Sequence, residues 1–349
     1  MRRRDFLRAG TLAGATTVAG CTGVFETRTV RSTGSVEDPP DSVYYPTHVD
    51  GMEMAGMARA GPYKVAVAYT FPHRFWTITG TRTKEVTIDD GNDVHLMATA
   101  WDANSGMVVP TASNTATVRR GVETVDQRSL WPMLSQPMSF HFGDNVALDG
   151  DGTYTTAIEV SPPDARLTGD FEGRFDDPAT AEVEFEFSQA DLDELSYTPL
   201  DEKKASPGAV EPMDMEMTPT ASTPGTESFP GEVLDVPESG DAKFVVATVE
   251  ADRFGDSAYL AVSPRTPYNG YPLPFMAVSA TVERGGETVV DDSLSATFDP
   301  ELGYHYGASV ESIESGDAIS LVVDTPPQVS RHMGYETAFV EMPEMEIEA

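Results

Sequence analysis

Residues 140–146 read FHFGDNV, and residues 304–310 read YHYGASV. Each stretch places a histidine between two aromatic residues and follows it with a glycine. Similar signals come after each frame: an acidic turn containing glycine, an alternating strand, and a Pro-Pro pair at residues 162–163 and 326–327. A unit that recurs in the same order predicts a tandem architecture.

The chain around both frames alternates apolar and polar residues in short runs that turn residues separate. Examples are KVAVAYTF at residues 64–71 and KFVVATVEA at residues 243–251. No stretch has a convincing helical period. We therefore predict an all-β protein with two immunoglobulin-like β-sandwich domains in tandem, joined by a disordered linker.

Changes in composition give the predicted boundaries of these parts. The segment rich in Pro, Ser, Thr and Met is assigned to the linker because it loses the strand pattern. The predicted parts are a signal at 1–21, an acidic tether at 22–60, domain 1 at 61–190, the linker at 191–238 and domain 2 at 239–349.

The first residues resemble a twin-arginine lipoprotein signal. Arg3 and Arg4 fit the twin-arginine pattern, and a short, weakly apolar stretch leads to Cys21, the only cysteine of the chain. An ordinary twin-arginine leader in which Cys21 is incidental is the alternative. The motif predicts an extracytoplasmic lipoprotein that a lipid at Cys21 anchors to the outer face of the cell membrane.

The composition is strongly acidic, with 57 Asp and Glu against 23 Lys and Arg and a formal net charge of −34. Concentrated salt screens such repulsion within a few ångströms, so the charge indicates a halophile, most simply an archaeon. No basic patch exists to neutralise phosphates, which argues against nucleic acid as a partner.

Histidines and methionines form the candidate metal site. His95 and Met97 lie two residues apart on a predicted strand, so both side chains point to the same face. Imidazole nitrogen and thioether sulfur together suit a soft or borderline metal and favour Cu(I) or Cu(II) over magnesium or calcium. The alternative is that each histidine is a packed residue with a satisfied hydrogen bond. The candidate metal ligands are His95, Met97, Met133, His141, His305 and His332.

These motifs resemble the periplasmic iron-transport (Fe²⁺ transport) family of copper- or iron-binding β-sandwich proteins. Residues 95–97 resemble the family's His-Leu-Glu strand, with methionine at the glutamate position. Met133 and residues 141–146 resemble its methionine and His-Tyr-Gly-x-Asn-Val frame, while residues 305–307 and 331–332 resemble that frame and a terminal Arg-His pair. The resemblance implies a protein that binds copper or iron beside a membrane iron permease.

Two departures from the family pattern leave the arrangement of the site open. Domain 1 has no histidine after its Pro-Pro pair, and residues 258–261, AYLA, stand in domain 2 where His-Leu-Glu is expected. Either domain 1 holds a reduced site and domain 2 is a degenerate copy, or the two halves act as a pseudo-dimer and complete one site between them.

Short methionine clusters occur before the predicted domain 1, at residues 52–57, and in the predicted linker, at residues 213–217. Thioethers beside acidic residues resemble weak Cu(I) sites, and packing of the linker or chance composition are the alternatives.

We predict an extracytoplasmic metal-binding lipoprotein that captures iron or copper for a membrane iron-uptake system. A structural or adhesive cell-surface protein without metal is the alternative. An enzyme is not expected, because the chain offers no catalytic residues in a Ser-His-Asp order, no nucleophilic cysteine and no phosphate-binding loop.

Overall fold

The computed structural model describes residues 34–110, 113–215 and 218–349. The signal predictions at Arg3, Arg4 and Cys21 lie outside these residues. Ser35–Ala349 form one compact unit. No helix among the described residues has both the length and the apolar character needed to cross a membrane.

The first half of the chain contains fourteen strands and one short helix, α1, at Gln189–Glu194. The strands are β1 His48–Asp50, β2 Glu53–Ala60, β3 Tyr63–Thr70, β4 Phe75–Thr79, β5 Arg82–Val86, β6 Val94–Asp102, β7 Asn114–Arg120, β8 Glu123–Ser129, β9 Trp131–Ser135, β10 Ser139–Val146, β11 Gly152–Val160, β12 Arg166–Leu167, β13 Ala179–Phe187 and β14 Tyr197–Pro199. Strands β1 and β2 occupy part of the stretch that composition assigned to the acidic tether.

The second half contributes ten further strands. They are β15 Glu232–Asp235, β16 Glu238–Ser239, β17 Ala242–Val249, β18 Ala258–Arg265, β19 Ala277–Arg284, β20 Glu287–Asp299, β21 Gly303–Val310, β22 Ala318–Thr325, β23 Ser330–Arg331 and β24 Met345–Glu348. Single turns of 3₁₀ helix lie at Gly169–Phe171, Thr226–Ser228 and Asp252–Phe254.

Two sheets pack face to face in the first half. An eight-stranded sheet runs β2-β3-β6-β10-β9-β23-β4-β5, and a four-stranded sheet runs β13-β11-β7-β8. Alternation sets which side chains meet between them: on β13, Val183, Phe185 and Phe187 are buried while the glutamates between them are exposed. Strand β6 is buried along its whole length, so its outer face is covered as well.

In the second half, the long strand β20 joins two groups of strands into one continuous sheet. The first residues of β20 pair with β19, and its last residues, Ser295–Asp299, pair with β21. The path β15-β17-β18-β21-β20-β19-β22-β24 is therefore continuous, and its first and last strands approach each other. The expectation of two β regions is confirmed, but the second is a nearly closed eight-stranded barrel and not a clear immunoglobulin-like sandwich.

The linker is ordered at residues 191–215 and 218–238, and the prediction of disorder is wrong. Its backbone amides at Val210, Met213 and Ala221 donate hydrogen bonds to the side chain of Gln136, the carbonyl of Pro137 and the hydroxyl of Ser139, respectively. Composition identifies a segment that forms no hydrophobic core of its own. Such a segment is still ordered when a neighbouring surface forms hydrogen bonds with its backbone groups.

The two halves exchange strands after their Pro-Pro pairs. Strand β12 leaves the first half and pairs in parallel with β20, and β23 leaves the second half and pairs in parallel with β9. Arg166 lies opposite Thr297, and Ser330 lies opposite Met133. The strand exchange is therefore reciprocal, and the segment after β23 enters the first half.

Candidate metal centre

The candidate site lies on the outer face of the eight-stranded sheet. His95 on β6 and His141 on β10 point away from the core between the sheets, because their strand neighbours Leu96, Phe140 and Phe142 fill that core. Met133 on β9 lies directly opposite His141.

His332 reaches this face through the strand exchange. Its backbone amide donates to the carbonyl of Leu134 on β9, which fixes the residue beside Met133. The Nε2 atom of His332 lies 3.3 Å from Met133 Sδ, and its Nδ1 lies 3.1 Å from His73 Nε2. The second half thus delivers one imidazole to the site of the first.

Four imidazoles meet at this point. One ring nitrogen from each of His73, His95 and His332 lies within 4.8 Å of the others. The ring centroid of His141 lies 5.1 Å from that of His332, and those of His73 and His95 are 4.0 Å apart. We call His73, His95, His141, His332 and Met133 the histidine cluster.

Hydrogen bonds fix the tautomers so that lone pairs face inward. His141 Nδ1 donates to the carbonyl of Ser139 at 3.2 Å, and His73 Nδ1 donates to that of Phe71 at 3.1 Å. Since a carbonyl only accepts, the Nε2 atom of each neutral ring carries a lone pair. Outer partners of this kind hold metal-binding histidines in place.

Asn145 orients two of the histidines. Its amide nitrogen donates to the carbonyl of His73 at 2.9 Å, so its oxygen accepts from His95 Nδ1 at 2.9 Å. The remaining nitrogens of His95 and His141, both Nε2, are buried and have no hydrogen-bond partner. A buried polar atom left unpaired costs about 1–3 kcal/mol, and two such lone pairs in one cluster are suited to coordinating a metal ion.

Gly143 leaves the room that such a partner needs. A Cβ atom at this position would lie 2.8 Å from His95 Nε2 and 3.1 Å from Met133 Sδ. Gly143 sits within strand β10, where its missing side chain leaves space beside the histidines. His95 Nε2 and Met133 Sδ therefore lie next to a space that a side chain at residue 143 would fill.

Burial keeps these imidazoles neutral. It lowers the pKa of His141 to about 4, and it lowers the pKa values of His95 and His332 well below their ordinary value. Burial also lowers the pKa of His73. Neutral imidazole is the form that coordinates a metal. His73 and His332 are only partly buried, which gives the cluster a side open to solvent.

The corresponding position in the second half is closed. His305 lies opposite Thr297 as His141 lies opposite Met133, and its Nδ1 donates to the carbonyl of Gly303. Tyr259 occupies the place of His95, and its hydroxyl lies 3.1 Å from His305 Nε2. A Cβ on Gly307 would lie 2.3 Å from that tyrosine ring, so the tyrosine fills the space.

The remaining counterparts also lack metal-binding groups. Phe254 stacks on Tyr259 with ring centroids 3.9 Å apart, much as His73 packs on His95. Thr168 follows β12 where His332 follows β23, and its hydroxyl donates to Asp299. Of the alternatives that the sequence left open, the geometry combines both: one site draws on the two halves, and the second position is a filled copy.

The predicted ligands are therefore placed as follows. The structure brings His95, Met133, His141 and His332 together, and it places Met97 in a neighbouring group of methionines and His305 beside Tyr259. His73 was missed, because its loop, Phe71-Pro72-His73, matched no motif. The only available signal was that a chain with six histidines carries one just before a strand.

Comparisons with known proteins agree with this division of the chain. Residues 54–191 match the family model described as Fe²⁺ transport protein, and residues 227–348 match one described as a domain of unknown function, DUF7350. The first half thus contains an Fe²⁺ transport domain. No curated protein matches the chain.

Two solved structures of FetP from uropathogenic Escherichia coli are similar to this chain. A copper-bound variant is 19% identical over 39% of this chain and 97% of its own, with a TM-score of 0.31. The protein as isolated after expression in the E. coli periplasm is 18% identical over 40% of this chain and 96% of its own, with a TM-score of 0.29.

Proposed function

We propose that the chain is an extracytoplasmic metal-binding protein that captures a copper or ferrous ion, as its substrate, in the histidine cluster. The observation that carries this is the pair of buried, unpaired Nε2 atoms of His95 and His141, aimed into a space that Gly143 keeps open. The match of residues 54–191 to the Fe²⁺ transport family supports a role in binding and not in catalysis.

The chemistry of the donors favours these ions. Neutral imidazole nitrogens suit copper, iron and zinc, and the thioether of Met133 shifts the preference towards copper, above all Cu(I). The cluster contains no carboxylate among its five members, which disfavours magnesium and calcium. His73 and His332, on the open side, are the groups that an arriving ion meets first.

Delivery of the ion to a membrane iron permease and lipid anchoring at Cys21 complete the proposal. Both rest on the sequence motifs at Arg3, Arg4 and Cys21 and on the family resemblance. The Cys21→Ser variant should move from the membrane fraction to the medium, and retention of the variant in membranes would refute the anchor.

The two histidine frames provide a matched pair of variants for the test. The folded protein is titrated with Cu(I), Cu(II), Fe(II) and Zn(II), comparing wild type with His141→Asn and His305→Asn. We expect His141→Asn to weaken binding by about a hundredfold or more, since even residues outside the ligand set contribute about 10- to 100-fold. His305→Asn should bind as wild type does.

Equal binding by wild type and a folded His141→Asn protein would contradict the proposal. The histidines would then be packing residues, and a structural surface protein would be the better description.

A further inference from the structure

A second group of sulfur atoms lies beside the histidine cluster. Met97 follows His95 by two residues on β6, so it projects from the same face of the sheet. It is buried together with Met138, from the turn between β9 and β10, in a group that is separate from the main core. Three further methionines pack around them. The methionine patch comprises Met52, Met54, Met97, Met138 and Met215.

Four segments of the chain meet at this patch, and one belongs to the linker. The amide of Met213 donates to the carbonyl of Pro137 at 2.8 Å, and the amide of Thr218 donates to the carbonyl of Met215 at 3.1 Å. These bonds hold Met215 over the turn that carries Met138. The linker thus closes the patch in an ordered conformation.

Ordinary packing does not account well for this concentration of methionine. Among the described residues, the buried methionines of the first half are Met97, Met133 and Met138, and all belong to the histidine cluster or to the methionine patch. The buried part of the core between the two sheets contains aliphatic and aromatic side chains, and the methionines of the first half that pack against it, Met54 and Met107, are only partly buried. The fully buried methionines of the first half therefore lie outside that core, and one of them, Met133, has its sulfur 3.3 Å from the Nε2 atom of His332.

We propose that the methionine patch is a second metal site, which binds a soft monovalent ion of the Cu(I) type through thioether sulfur. Thioethers select Cu(I) over hard or borderline divalent ions. They carry no proton to displace, so binding does not depend on deprotonation of the ligand. Met52, Met54 and Met215 are only partly buried, which gives an ion a route from solvent.

The inference does not depend on the proposed function of the histidine cluster. A thioether site would hold Cu(I) even if the imidazoles held nothing. If both sites bind an ion, they are neighbours on one face of the sheet, because Met97 of the patch lies two residues after His95 on β6.

The test replaces sulfur while keeping volume. Cu(I) binding is measured without oxygen, against a chromogenic Cu(I) chelator, for wild type and for a variant carrying Met52→Leu, Met54→Leu, Met138→Leu and Met215→Leu. Leucine is close to methionine in volume, so packing should change little. We expect tightly bound Cu(I) to fall from about two ions per chain to about one. The Met276→Leu/Met345→Leu protein, altered at two buried methionines of the second half, should keep both.

The His141→Asn variant distinguishes the two sites. It should retain the ion bound by the methionine patch and lose the ion bound by the histidine cluster. A folded fourfold leucine variant that binds as much Cu(I) as wild type overturns the inference. If that variant does not fold, copper K-edge absorption of the Cu(I)-loaded His141→Asn/Met133→Leu protein decides, because this protein also lacks the thioether of the histidine cluster. Sulfur ligands support a thioether site, and nitrogen or oxygen ligands alone refute it.

Discussion

Tyr259 stands in the second half of the chain where His95 stands in the first, and its hydroxyl occupies the side of His305 that the corresponding imidazole, His141, leaves open. The two frames therefore share backbone geometry and differ in chemistry. In one half the Nε2 atom of the histidine has no hydrogen-bond partner, and in the other a tyrosine hydroxyl lies within hydrogen-bond distance of it.

The Gly143→Ala variant should lose metal binding while remaining folded. The added methyl would stand 2.8 Å from His95 Nε2 and 3.1 Å from the carbonyl oxygen of Leu96, which cannot rotate away. We expect metal affinity to fall at least about tenfold and the free energy of unfolding to fall by about 1–3 kcal/mol. Isothermal titration with copper and urea unfolding measure the two effects.

Gly307→Ala is the matched control, because its methyl meets the Tyr259 ring and no member of the histidine cluster. It should destabilise the protein and leave metal affinity unchanged. Wild-type affinity in Gly143→Ala would mean that the ion does not occupy the space above this glycine.

The Tyr259→Phe variant should be less stable by about 1–3 kcal/mol, because it leaves His305 Nε2 buried and unpaired. Metal binding should not change. Tyr268→Phe, at a tyrosine that is 55% exposed, is the control and should unfold like wild type. Denaturant unfolding measures all three proteins, and equal stability of the two variants would show that the tyrosine does not satisfy this histidine.

Acid should destabilise the metal-free protein in a defined window. Burial lowers the pKa of His305 to about 4, from an ordinary value of 6.5. As the pH falls, the unfolded chain therefore binds the proton first, and the free energy of unfolding decreases between pH 6.5 and 4 and levels off below. One such group contributes about 3 kcal/mol over the window.

The His305→Gln variant isolates this contribution. Its loss of stability between pH 7 and pH 4 should be smaller than that of wild type by up to about 3 kcal/mol, as measured by urea unfolding at each pH. Identical pH profiles for the two proteins would show that His305 titrates normally in the folded state.

Low salt should destabilise the fold. Glu182, Glu184 and Glu186 alternate along the exposed face of β13, and the chain as a whole carries a formal charge of −34. The screening length grows from about 3 Å in molar salt to about 30 Å in 10 mM salt, so repulsion along such a row is felt only in dilute salt.

We expect the thermal midpoint to fall when KCl is reduced from molar to millimolar concentrations, and to fall less in Glu184→Gln/Glu186→Gln. A thermal midpoint that does not change with salt concentration in either protein would show that the acidic residues do not make stability depend on salt.

Local pattern was enough to predict two β regions, since strand alternation and the repeated frame at His141 and His305 are properties of short stretches, but not the barrel of the second half, which depends on how β20 pairs with two different strands. It was not enough for the linker, whose order depends on partners such as Gln136 and Ser139 that lie far away in sequence. It also missed His73, which enters the cluster only because β4 lies next to the exchanged strand β23.

The strand exchange takes place within one chain, and this affects both how the cluster responds to dilution and how the sequences of the two halves can differ. Because both halves lie on one chain, the donation of His332 to its neighbour does not depend on protein concentration, unlike a site shared between separate subunits. A substitution in two identical subunits alters both sites at once. Here Tyr259 and Thr168 fill one position while His95 and His332 line the other, so covalent linkage permits the two halves to differ in sequence while they remain physically joined.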